Sequence, residues 1–262
     1  LKFCSLYSGS SGNSLFVSCR QTKLLIDAGM SGIKIQNAMK TIEEDPKSLK
    51  GILVTHEHRD HIHGIGVLSR RFDLPVYATQ KTWEAMDECL GKISEGNRKT
   101  FDPGKDLVIE ELQISPFKTS HDAAQSCGFV IDDGIKRIGI ATDTGVVTDD
   151  MLLALKGCSL SVVESNHDLG MLEAGAYPFY LKQRIKSEYG HLSNEVAGNL
   201  VKTLVENGGQ TIVLAHLSQE NNFPLLAFET TSRILQESGI DPQKDIHLSV
   251  AKRSSVSEII EL

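Results

Sequence analysis

Four potential metal ligands, His56, His58, Asp60 and His61, stand within six residues, just where the apolar run Gly51–Thr55 gives out. His56 and His58 are two apart, so on an extended backbone they point the same way and can grip one ion. Asp60 and His61 follow in the turn and can face a neighbouring ion. Imidazoles with a carboxylate suit zinc, manganese or iron, and the lack of a cysteine among them leaves that choice open. The chain has nine histidines in 262 residues, and His56, His58, His61 and His63 fall within eight positions, far from an even scatter. His63 lies one turn into an expected helix and reads as a supporting or surface group.

The length allows one large domain with a substantial core, and we expect a single domain over residues 1–262. The formal net charge of −7 excludes a surface that binds nucleic acid everywhere by charge alone. A local basic strip beside the cluster stays open, because two bound divalent ions add roughly four positive charges. Cys4, Cys19, Cys89, Cys127 and Cys158 are odd in number and form no Cys-x-x-Cys pair, the pattern of reduced thiols. No apolar run approaches the roughly 20 residues that span a bilayer. The first residues lack the basic and apolar stretches of a signal peptide. A cytoplasmic protein with no membrane association is the expectation.

Strand-like runs at Phe3–Leu6, Leu15–Cys19 and Lys23–Asp27 are followed by a helical pattern over Ile33–Ile42. His61–Phe72 and Thr82–Leu90 have helical spacing, with a strand at Pro75–Ala78 between them. Strands follow near Leu107–Ile109 and Leu112–Phe117. Gly128–Ile131 and Arg137–Ala141 flank the turn Asp132-Asp133-Gly134 as a hairpin. The second half reads as helix Asp149–Leu155, strand Leu160–Glu164, helices near Pro178–Glu188 and Asn194–Asn207, strand Thr211–Ala215, helix Leu225–Ser238 and strand His247–Ala251. Strand-rich segments are interrupted by helices once per half. That suits an α+β fold with two sheets face to face and helices outside, a four-layer αββα sandwich.

The His-x-His-x-Asp-His spacing at His56–His61 resembles the signature of the metallo-β-lactamase superfamily, and the likeness runs through the chain. The resemblance implies that fold, and it implies further ligands. His121 in Lys118-Thr119-Ser120-His121-Asp122 matches the third histidine, Asp143 in Ala141-Thr-Asp-Thr-Gly145 the bridging carboxylate, and His216 in Ala215-His-Leu-Ser218 the last ligand. One ion would take His56, His58 and His121, the other Asp60, His61 and His216, with Asp143 between. Asp27 resembles the aspartate that orients a ligand imidazole through its free N–H.

Two divalent ions roughly 3.5–4 Å apart activate a bridging water, which would be the nucleophile, and they neutralise a developing oxyanion. That chemistry serves esters, lactams, thioesters and phosphodiesters alike, so the substrate is set by the rest of the site. An aspartate at the bridging position resembles the glyoxalase, lactonase and nuclease branches. Gly190-His191-Leu192-Ser193-Asn194 looks like the segment of RNase Z and PhnP-type phosphodiesterases whose histidine protonates the leaving group, and this makes His191 the candidate general acid beside Asp60. Glu164 and His167, in Glu164-Ser-Asn-His-Asp168, together with Ser193, are candidate substrate contacts. At the same positions Glu164 can instead orient the acid histidine, and Ser193 can cap the following helix. The turn Ser8–Ser14 offers backbone N–H groups to a phosphate, or is simply a hairpin turn.

Ser5–Ser14, Leu25-Ile-Asp-Ala-Gly29, Thr55–His61, Glu164–Asp168 and Gly190–Asn194 together resemble the YycJ/WalJ/VicX family. Its members are bacterial cytoplasmic proteins associated with 5′-to-3′ exonuclease activity on double-stranded DNA. The resemblance implies a two-metal phosphodiesterase acting on DNA, with zinc, manganese or iron as cofactor. It does not speak to oligomeric state. No β-CASP insertion and no long basic arm are present, which makes structured RNA a poorer fit than a DNA end or a short phosphodiester. Two other classes stand beside it: a thioesterase or lactonase of the glyoxalase II kind, for which there is no glutathione-binding extension, and a non-catalytic regulator that keeps the fold, which has no need of His191. Arg70-Arg71, Lys182/Arg184/Lys186 and Lys252-Arg253 read mainly as solvated surface charge.

Overall fold

Alternate residues along the strands serve different layers. In one strand Phe129 and Ile131 join one apolar cluster while Val130 joins another, and in another strand Leu24 and Ile26 separate from Leu25 in the same way. A strand buried on both faces with a period of two lies in a sheet covered on both sides. The computed structural model, which describes residues 1–262, contains two such sheets of seven strands each.

The first sheet takes β1 (Lys2–Tyr7), β2 (Ser14–Cys19), β3 (Thr22–Ile26), β4 (Gly51–Leu53), β5 (Val76–Thr79) and β6 (Arg98–Phe101). The second takes β7 (Leu107–Ile109), β8 (Leu112–Lys118), β9 (Cys127–Asp132), β10 (Arg137–Ala141), β11 (Leu160–Glu164), β12 (Thr211–Ala215) and β13 (His247–Val250). A last short strand, β14 (Ile260–Glu261), returns to the first sheet beside β1. The sheet orders are β14-β1-β2-β3-β4-β5-β6 and β13-β12-β11-β10-β9-β8-β7. Helices α1 (Gly32–Thr41), α2 (Arg59–Ile62), α3 (Ile65–Phe72) and α4 (Gln80–Leu90) belong to the first half. To the second belong α5 (Asp149–Leu155), α6 (Leu169–Ala174), α7 (Phe179–Lys186), α8 (Asn194–Glu206) and α9 (Pro224–Glu237).

Three apolar clusters fill the three spaces of a four-layer sandwich. One of 21 residues, including Leu24, Leu53, Phe129 and Val162, lies between the sheets. A second joins the outer face of the first sheet to α1, α3 and α4 through Ile35, Leu68 and Trp83. The third joins the second sheet to α5, α8 and α9 through Leu155, Leu200 and Leu235. The expected αββα architecture is therefore present. No helix is long and apolar enough to cross a membrane.

The elements depart from expectation in instructive places. The helix expected over His61–Phe72 breaks into α2 and α3 at Gly64, whose N–H donates to Ala28 O at 2.7 Å. A Cβ there would lie 2.4 Å from Met30 O, so the break is a close backbone crossing. The unexpected edge strand β6 is polar, with only Phe101 buried, and gives no alternation to read. The unexpected α6 is six residues long and rests on Asp168, whose carboxylate accepts from Met171 N.

Parallel pairing positions the site. Strands β3 and β4 run parallel, as do β10, β11 and β12, and β8 shares their direction through antiparallel β9. The C-terminal ends of β3, β4, β8, β10, β11 and β12 lead directly to Asp27, His56, His121, Asp143, Glu164 and His216. Polar side chains from six separate segments thus reach one edge of the sandwich.

Candidate metal centre

Three of these residues stand in the left-handed region immediately after a strand: Asp27 (φ 61°), Asp143 (φ 57°) and His216 (φ 56°). Non-glycine residues rarely adopt this conformation, and its strain persists where surrounding structure holds it for a purpose. Here it turns each side chain back across the end of its sheet.

Hydrogen bonds choose which ring nitrogen faces the centre. Asp27 accepts from Thr55 N at 2.8 Å and Thr55 Oγ1 at 2.7 Å, and its Oδ2 holds His61 Nδ1 at 2.7 Å. His56 Nδ1 lies 2.9 Å from Thr55 Oγ1, His121 Nδ1 3.1 Å from Gly190 O, and His216 Nδ1 2.8 Å from Glu164 Oε1. In all four rings Nδ1 is engaged by the surrounding protein, which turns Nε2 toward the centre. His58 is turned the other way, with Nδ1 3.3 Å from His121 Nε2 and Nε2 3.9 Å from Asp122 Oδ1.

The candidate ligand atoms cluster. Those of His56, His58 and His121 lie within 4.8 Å of one another, and so do those of Asp60, His61 and His216. Asp143 stands between them, its Oδ2 3.4 Å from His61 Nε2 and its Oδ1 3.9 Å from His121 Nε2. His56, His61 and Asp143 also form one group, as do Asp143, Glu164, His191 and His216. Three buried atoms here have no hydrogen-bond partner: His56 Nε2, His216 Nε2 and Asp143 Oδ2. Orphaned buried polar atoms are costly. Three of them converging from different loops, all of ligand chemistry, suit divalent metal binding.

The charges agree. Burial pushes His56 well below the usual imidazole range, with the neighbouring His61 acting in the same direction. At His61 burial acts downward too, but Asp143, Asp27 and Asp60 outweigh it and hold the ring well above its usual value. His216 goes up to about 10 against burial, through Asp143, Asp60 and Glu164. Asp143 is held well below the carboxylate range, since His216 and His61 overcome its burial. The pocket therefore carries an excess of buried acid and calls for positive charge.

Glu164 is fully buried and ties two functions together. Its Oε1 meets His191 Nδ1 at 2.7 Å and His216 Nδ1 at 2.8 Å, while Oε2 accepts from Thr144 N and Leu192 N. Burial would raise its pKa, yet His191 first and then His216 bring it to about 2. The His191 ring centroid lies 5.0 Å from that of His121 and 5.3 Å from that of His216, so it borders both ion sets.

The expected substrate contacts resolve differently. Glu164 has no exposed surface and orients rings instead of meeting a substrate. Ser193 caps α8, accepting from Val196 N at 3.3 Å, and is 5% exposed. His167 is 1% exposed, with Nδ1 unpartnered, and burial brings it down to about 4. None of the three offers a face to a ligand in the cleft, because the strand end carries them under it. His63 is exposed at the rim beside Asp60.

Sequence reasoning missed several supports. Asn13 donates from Nδ2 to Asp60 Oδ2 at 3.4 Å and lies 3.0 Å from His61 Nε2, while its Oδ1 accepts from Gly9 N. Ser8 Oγ accepts from His216 N at 2.8 Å. The Ser8–Ser14 turn thus braces the Asp60, His61 and His216 group from two sides. Gly29 is equally placed, since a Cβ there would sit 1.6 Å from Asp60 O. The basic clusters partly serve structure: Arg184 pairs with Asp122, and Arg253 donates to Leu217 O at 2.6 Å.

Comparison with known proteins places this arrangement. A family model described as a beta-lactamase superfamily domain matches residues 22–217. Exodeoxyribonuclease YycJ of Bacillus anthracis is 42% identical over 239 residues, covering 91% of this chain and 90% of that protein. Exodeoxyribonuclease WalJ of Streptococcus pneumoniae is 38% identical over 265 residues, covering 100% and 98%. The metallo-β-lactamase fold protein YhfI of Bacillus subtilis shares the fold, with a TM-score of 0.74 at 17% identity over 98% of both chains. The fold and site define a member of the metallo-β-lactamase superfamily. Within it, the chain belongs to the family of YycJ and WalJ.

Proposed function

We propose that this chain is a two-metal phosphodiesterase that digests double-stranded DNA from an end, in the 5′-to-3′ direction. Membership in the superfamily makes it a metal-dependent hydrolase; the substrate, the polarity and the number of ions are our reading. The observation that carries the step from hydrolase to phosphodiesterase is the single Glu164 carboxylate gripping both His191 and His216. It sets a proton donor against the metal centre, which a sugar alkoxide leaving group requires and the thiolate of a thioester does not. DNA as substrate is supported by the names of the two relatives above.

His56, His58 and His121 would hold one ion and Asp60, His61 and His216 the other, with Asp143 shared; zinc, manganese or iron fits the donor set. When bound, the ions supply a water of lowered pKa and positive charge against the phosphate oxygens. The protein does the remainder. Asp27, Thr55 and Gly190 fix the ligand rings, and Asn13 holds the loop of Asp60. Glu164 engages His191 Nδ1, so Nε2 is the nitrogen that passes a proton to the departing sugar oxygen.

Purified protein with manganese or zinc is expected to shorten end-labelled duplex DNA, and Asp60→Ala to remove that activity. Equal activity in the variant would trace it to a contaminating nuclease and defeat the reading.

A further inference from the structure

Beside His191 lies a cavity of about 180 Å³ that the chemistry above does not use. Tyr177, Leu181 and Ile185 wall it on the α7 side, and Asn166 and Ser218 on the other. It is smaller than the roughly 300–1,000 Å³ pockets that enclose drug-sized ligands, so it suits a single ring system and not a base pair. The α7 side combines apolar and aromatic side chains with Arg184, which pairs with Asp122 at the cavity wall, and the other side is polar.

Two further observations make it a built site. Asn166 is only 5% exposed; its Nδ2 donates to His216 O at 3.0 Å, and its Oδ1 accepts no hydrogen bond within the protein. Asn166 lines the cavity, and this open oxygen can accept a hydrogen bond from a donor that enters. The α7 wall is also locked to the acid histidine: His191 N donates to Ile185 O at 2.9 Å. A Cβ on Gly190 would stand 2.1 Å from that same oxygen, so the helix end seats directly on the glycine. No residue of α7 is fully buried, which leaves Leu181 and Ile185 partly open toward the cavity.

We infer that this cavity receives the unpaired base of the terminal nucleotide, on the leaving-group side of the cleaved phosphodiester. The inference rests on the nuclease reading and on His191 facing the leaving oxygen. The nucleotide whose sugar oxygen takes the proton must lie just past His191, where the cavity is. Tyr177 packs against the base, Leu181 and Ile185 enclose it, and the free Asn166 Oδ1 accepts an N–H from its edge. A pocket of one-base size accounts for removal of nucleotides singly from an end, and it requires the end pair to open first.

The test uses duplex DNA with a one-nucleotide 5′ overhang, so that end pairing is the same in every substrate. The overhanging nucleotide carries either thymine or no base. With wild-type protein and manganese, release of the thymine nucleotide is expected to be about tenfold faster, the scale of one base stacking on an aromatic side chain. Tyr177→Ala, and independently Leu181→Ala, should bring that ratio toward one. The ratio does not depend on how much of a variant is folded. A wild-type ratio of one, or an unchanged ratio in both variants, overturns the base pocket while leaving the nuclease reading intact. Wild-type protein that cleaves neither DNA defeats the nuclease reading, and this inference with it.

Discussion

Asp143→Asn is expected to lower the rate on DNA by about 10³-fold, or about 4 kcal/mol at 1.36 kcal/mol per decade. Asparagine tolerates the left-handed backbone at φ 57°, so this exchange removes the charge and leaves the turn. The buried carboxylate stands 3.4 Å from His61 Nε2 and 3.9 Å from His121 Nε2, between the two proposed ion sets. Removing one partner from a buried charged cluster costs about 3–5 kcal/mol in other proteins, because the remaining charges are left uncompensated. Metal content should fall in parallel. Initial rates on end-labelled duplex, with metal analysis of the same sample, check this, and a variant within tenfold of wild type with full metal would rule out Asp143 as the shared ligand.

His191→Ala separates proton donation from metal chemistry. General acid catalysis contributes about 10²–10⁴-fold where a poor leaving group must be protonated. On DNA the variant should lose a factor in that range. On bis(p-nitrophenyl) phosphate, whose nitrophenolate departs without a proton, the loss should stay below about tenfold. The ring also touches Glu164, so a purely structural role is the competing account. That account predicts the same loss on both substrates, through a disturbed His216, and an equal fall would remove His191 as the acid.

The centre was legible in the chain because its chemistry is concentrated. His56, His58, Asp60 and His61 are neighbours in sequence, while His121, Asp143 and His216 are placed by the superfamily resemblance, with the end of an apolar strand beside each as a check. Asp27 is singled out by the same resemblance, with a plain turn residue as the other reading, and the structure sets it 2.7 Å from His61 Nδ1. The sandwich was legible from strand-rich segments interrupted by helices once per half, together with the superfamily resemblance.

What escaped depends on contacts between distant segments. Glu164 reads equally as a substrate contact or a ring holder until β11 is seen to end beneath His191 and His216. Asn13 looks like any turn asparagine, and only the packing of its loop against Asp60, 47 residues away, gives it a task. The constraint at Gly29 comes from the Asp60 backbone and leaves no trace in local propensity. Buried polar networks are specified by tertiary geometry, and a linear pattern names their members without their roles.

The central claim is that two divalent ions at this centre hydrolyse DNA, and a metal add-back titration tests it most directly. Protein stripped with a chelator and freed of it is given manganese or zinc in increments, and initial rates are read on end-labelled duplex. The account predicts no cleavage by the stripped protein and a rise in activity that levels off at two equivalents per chain. Full activity without metal, or none at any level of manganese or zinc, would contradict it.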